Sequence, residues 1–64
     1  MMIKKWAVTE GFDKGANVKA YKFSDGSIHY LFRDRFGHPW ILNELEFEDV
    51  IKAGRMQLVF EVKE

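Results

Sequence analysis

Sixty-four residues, 47% of them hydrophobic and 16% aromatic, make one small domain spanning 1–64 with room for a single modest core. Ten basic and ten acidic residues cancel, which argues against a chain that coats nucleic acid or anionic membranes by net charge. There is no cysteine, so disulfide staples, thiolate zinc sites and thiol nucleophiles are excluded.

In chain order, Ile3 to Thr9 reads as a first strand with Trp6 and Val8 on one face. Neither the opening Met1-Met2-Ile3-Lys4-Lys5 nor any later stretch has the apolar length of a signal peptide or a membrane span. The expected setting is cytoplasmic, in a bacterial or archaeal cell or in an infected host cell. A connection rich in glycine, Glu10 to Ala16, follows and carries one aromatic, Phe12, which either folds over the sheet edge or stands out as an anchor for a partner.

Asn17 to Asn43 reads as a three-stranded meander. Asp25-Gly26 between β-rich runs is a hairpin signal, and a two-residue type I′ turn there pairs Phe23 with Ile28, Tyr21 with Tyr30 and Lys19 with Phe32. For the next turn, Asp34 to Gly37, two registers compete. A glycine bulge at Gly37 is preferred, because it sets Phe32 opposite Trp40 and gathers the aromatics on one face.

Asn43 to Gly54 predicts a short helix: Asn43 as N-cap, Glu46 closing a capping box, Gly54 beyond the C-terminus and Phe47, Val50 and Ile51 on one stripe. Met56 to Val62 alternates as a final strand with Met56, Leu58, Phe60 and Val62 toward the core, and it is expected to pair with the first strand. The fold class is therefore α+β, a strongly curved, mainly antiparallel five-stranded sheet with one short helix before the last strand, either left open or closed into a small SH3-like barrel.

This register leaves Val18, Ala20, Lys22, His29, Leu31, Arg33, Pro39 and Ile41 away from the aromatic core. An apolar centre of Ala20, Leu31 and Ile41 with a rim of Lys22, His29 and Arg33 has the make-up of a protein interface, unless it is ordinary sheet surface. The acidic run Glu44, Glu46, Glu48 and Asp49 supplies either dipole-matched solubility or a second docking element for a basic partner. An alternative surface is the basic hairpin side, where Lys14, Lys19, Lys22, Arg33, Arg35 and His38 with Phe36 would bind single-stranded nucleic acid. A third reading is a module that self-associates, as a homodimer for example.

Two histidines with scattered carboxylates show no metal-ligand spacing, and no nucleophile elbow, phosphate loop or fixed carboxylate pair is present. No metal, cofactor or catalytic residue is expected. The composition resembles that of small phage or mobile-element accessory proteins, which implies an inhibitor or adaptor acting on a larger host protein. Protein binding without catalysis is the leading expectation.

Overall fold

In the computed structural model, which describes residues 1–63, the chain runs β1 (Met2–Ala7), β2 (Asn17–Lys22), β3 (Ile28–Arg33), β4 (Pro39–Leu42), α1 (Glu44–Lys52) and β5 (Gln57–Glu61). The strands form one antiparallel sheet in the order β4-β3-β2-β1-β5, so the last strand does pair with the first. The sheet does not close into a barrel. Its two edges, β4 and β5, are joined by α1, which crosses one face and leaves the other uncovered.

The second hairpin adopts the expected bulge. Gly37, with φ of 86°, donates to the Asp34 carbonyl at 3.0 Å, Asp34 donates to His38 at 3.1 Å, and Phe32 lies opposite Trp40. The first hairpin departs from expectation. Gly26 (φ 87°) donates to the Phe23 carbonyl and Phe23 to the Ser27 carbonyl, both at 2.9 Å, so this turn is also a type I turn closed by a left-handed glycine. The physical reason lies at Asp25. A type I′ turn would force it to positive φ, whereas here glycine alone takes that conformation and the Asp25 carboxylate accepts from the Ser27 N–H (2.9 Å) and hydroxyl (2.6 Å).

One extra residue in that turn inverts β2. Lys22 pairs with Ile28, Tyr21 with His29, Ala20 with Tyr30 and Val18 with Phe32. Val18 and Ala20 therefore join Tyr30, Phe32, Trp40 and Leu42 on the helix side, while Tyr21 and Lys19 turn to the uncovered side, the reverse of the sequence expectation. Val18 is 0% and Ala20 1% exposed, so Ala20 belongs to the core rather than to a surface. Their small side chains let Phe47 of α1 come close to the sheet. It stacks on Tyr30 with ring centroids 3.8 Å apart and meets Trp6 edge-on at 5.1 Å.

Two further bulges adjust the faces. Adjacent Lys5 and Trp6 of β1 pair with Phe60 and Leu58 of β5, which makes Val59 the extra residue and sends Phe60 to the uncovered side rather than the core. Ile3 is the extra residue between Met2 and Lys4 against β2.

The helix is capped as its sequence specifies. The Glu46 N–H donates to Asn43 Oδ1 at 2.8 Å, the Asn43 N–H to Glu46 Oε1 at 3.0 Å, and Gly54 takes φ of 71° beyond the C-cap Ala53. None of its residues is fully buried. The packed centre is thus small, and several large apolar side chains, Phe12, Phe36 and Ile41 among them, remain well exposed.

Candidate functional site

Two surfaces stand out, on opposite sides of the sheet. The first is a groove of about 640 Å³ at the end where the β1–β2 loop, the β3–β4 turn and the α1–β5 connection meet. The β1–β2 loop is held shut at Val8, whose N–H donates to the Ala16 carbonyl (2.9 Å) and whose carbonyl accepts from the Gly15 N–H (3.1 Å), and by tight turns at Gly11–Lys14 and Asp13–Ala16. This projects Phe12, 77% exposed, from the loop tip. The β3–β4 turn projects Phe36, 68% exposed, toward the same groove.

Between these two rings lies the Arg35 guanidinium, 3.7 Å from the Phe12 centroid and 4.3 Å from the Phe36 centroid. The floor below is apolar, formed by Val8, Phe32, Val50 and Met56. The other charges at the rim are already matched. Arg55 Nη1 meets Asp13 Oδ2 at 3.0 Å, and Asp34 accepts from the backbone N–H groups of Phe36 and His38 at 2.9 Å while its other oxygen lies 3.3 Å from His38 Nδ1. Partial desolvation pushes the Asp34 carboxyl up, but the His38 and Phe36 N–H donors and the His38 ring outweigh it and hold the group below its ordinary value. Among the described residues Arg35 makes no ion pair, so it is the unmatched charge of the groove.

The second surface is the uncovered face of the sheet. The pairing places Ile41, Leu31, Lys19, Lys5 and Phe60 in one row across all five strands. Arg33 and Asn17 lie in the next row on one side, His29 and Tyr21 in the row on the other. No strand residue on this face is a carboxylate, because Glu61 shares its side of the sheet with Lys4, which it meets at 3.2 Å on the helix side.

The residues proposed from sequence for protein binding are therefore divided. Leu31, Ile41, His29 and Arg33 do share the uncovered face, with Leu31 directly opposite Ile41. Ala20 and Lys22 lie on the other side, and Glu44, Glu46, Glu48 and Asp49 ride on α1, across the sheet from Leu31 and Ile41. The proposed nucleic-acid set divides likewise. Lys19 and Arg33 are on the uncovered face, Lys22 is on the helix side, Lys14 is in the β1–β2 loop, and Arg35, Phe36 and His38 are in the β3–β4 turn.

Reading the sequence singled out Phe12 and Arg35 separately but could not join them, since the contact spans loops far apart in the chain. It also passed over Lys5, Tyr21 and Phe60 as surface residues, the first because its register against β2 was not assigned and the others because both were assigned to the core. Among the described residues no helix is long and apolar enough to cross a membrane. Compared with protein-family models, curated proteins and solved structures, the chain matches none.

Proposed function

We propose that this chain is a non-enzymatic protein-binding module and that the groove beside Phe12 and Phe36 is its docking site. The observation that carries this reading is the Arg35 guanidinium held between two exposed phenylalanine rings, over an apolar floor, with no ion pair to a carboxylate among the described residues. A concave apolar site with a few convergent polar groups is the usual form of a binding pocket. Aromatic and arginine side chains at such a site are the types that anchor protein interfaces.

The groove suits a short partner segment that presents an apolar side chain next to a carboxylate: the side chain fills the floor and the carboxylate pairs with Arg35. Asp13 and Asp34 on the rim disfavour a polyanion there. The uncovered face supports this function less well. Lysines occupy the middle of its central row, whereas charged residues are depleted at the centre of protein interfaces. Two copies meeting face to face would also oppose Lys5 and Lys19 to their own like, which speaks against self-association by that route. An inhibitor or adaptor of a larger protein remains the role this groove would serve.

Selection from a random peptide library against the intact chain tests the reading. The selected peptides are expected to pair an apolar residue with an acidic one, to lose binding to Phe12→Ser and Phe36→Ser, and to lose their acidic preference against Arg35→Glu. Peptides that bind these variants as well as the parent chain would show that the groove is not the site.

A further inference from the structure

The uncovered sheet face carries a second site, independent of the groove. From its geometry we infer that it binds single-stranded nucleic acid, with Lys5, Lys19 and Arg33 on the phosphates and Tyr21 and Phe60 as stacking surfaces for bases. The zero net charge of the chain conceals a segregation. The acidic residues of α1, and Glu61, lie on the helix side, and the others among the described residues lie in loops and turns. What remains on the open face is cationic and aromatic over β1, β2 and β5, with Leu31 and Ile41 as an aliphatic margin toward β4.

Position strengthens the point. Lys19 and Lys5 are direct cross-strand partners on the central strand β2 and the neighbouring interior strand β1. Like charges set opposite each other are unfavourable, and among the described residues no strand carboxylate of the face relieves them, so the site is complementary to an anion. Arg33 is steadied by one hydrogen bond from Nη1 to the Gly37 carbonyl at 2.9 Å, which leaves its other donors for a ligand. None of the three cations enters an ion pair among the described residues.

Aromatics border the cations. Phe60 is paired with Lys5, and Tyr21 stands two residues from Lys19 along β2, about 7 Å away at the rise of a strand. With strands about 4.8 Å apart, the row from Ile41 to Phe60 extends about 19 Å. An open sheet face with cations between stacking rings is how single strands are held, bases on aromatic faces and phosphates on lysine and arginine. A duplex is read by a helix or ribbon inserted into a groove, and here the one helix lies behind the sheet. An acidic protein would set its buried centre against two lysines.

Titration of the intact chain with a fluorescent oligothymidylate of about 12 nucleotides, and with oligouridylate of the same length, tests the inference. Three phosphate contacts predict a slope of log affinity on log salt of about −2, and hence about 20-fold weaker binding at 200 mM than at 50 mM salt. The double variant Lys5→Glu, Lys19→Glu is expected to bind about tenfold more weakly or worse, and Tyr21→Ala about fivefold more weakly. Lys5→Gln with Lys19→Gln, checked by circular dichroism, separates a lost contact from a lost fold.

Phe36→Ser, in the groove, should bind oligonucleotide as the parent chain does, so failure of one site leaves the other standing. Absence of binding at low salt would overturn the inference. So would equal binding of duplex DNA, polyglutamate or anionic lipid vesicles, since each would show attraction to charge alone.

Discussion

The two sides of the sheet differ more than composition suggests. On the helix side Lys4 pairs with Glu61 and, at the groove, Arg55 with Asp13 and Asp34 with His38, with Lys22 and the groove's Arg35 outside these pairs, and apolar side chains pack or line a cleft. On the open side the strand cations enter no ion pair among the described residues. The difference teaches that cover over the sheet decides where a bare charge is tolerated. Where Phe47 covers the sheet, an unmatched charge would be desolvated at a cost of several kcal/mol, whereas an open face tolerates bare lysines because water solvates them.

Substitution at the centre of the helix side breaks the contrast most sharply. Val18→Asp puts an unpaired carboxylate where exposure is 0%, at a cost on the order of 3–5 kcal/mol. Total stability for a chain of this length is about 3–10 kcal/mol, so the variant is expected to unfold wholly or in large part, as urea titration would show. Retention of the parent midpoint would mean that the helix side is not the core.

Phe47→Ala removes the stack on Tyr30 and the edge contact with Trp6 from a half-buried position, an expected loss of about 2–3 kcal/mol. That corresponds to about 10–20 °C in melting temperature. A loss below about 0.5 kcal/mol would show that α1 contributes little to the fold.

At the turns, Gly37→Ala forces a side chain into the left-handed region although nothing lies within 4 Å of the added carbon, so it should cost about 1–2 kcal/mol through backbone strain alone. Gly26→Ala should match it, because both turns share one geometry. Unequal costs would contradict the shared bulge.

Asp34 and Asp25 sharpen the contrast through pH. The Ser27 hydroxyl and N–H hold Asp25 low, and Asp34 is held low as described above. A carboxyl lowered on folding stabilises the chain fully above its unfolded value, about pH 4, and that contribution disappears as pH falls through the lower folded value. The melting temperature should therefore drop between pH 5 and 3 (roughly the window of these carboxyls), and Asp34→Asn should flatten the drop. An unchanged profile would dismiss the Asp34 network as a source of stability.

The smallest effect is expected on the open face. Ile41→Glu, at a residue 67% exposed, should change stability by no more than about 0.5 kcal/mol. A loss like that at Phe47 would reveal packing on a side that is open here.

The strands, the helix and its caps were legible in the residues, because each rests on neighbours in sequence. Asn43 and Glu46 close their box three residues apart, and the Asp34-to-Gly37 turn carries its own signature. Which side of the sheet each residue faces was legible for β3 and β4 but not for β2 or the end of β5. Side chains alternate with a period of two, so the extra residue at the Gly26 turn inverted β2 and the bulge at Val59 turned Phe60 over.

The groove was not legible at all. Its parts, Phe12, Arg35 and Met56, lie on three separate connections, and the Asp13–Arg55 pair at its rim joins residues 42 positions apart. Local chemistry thus determined the elements. Only their packing decided that Lys5 and Lys19 would lie side by side on an open face and that Arg35 would rest between two phenylalanines, since those neighbours are made by strand pairing and loop closure rather than by adjacency in the chain.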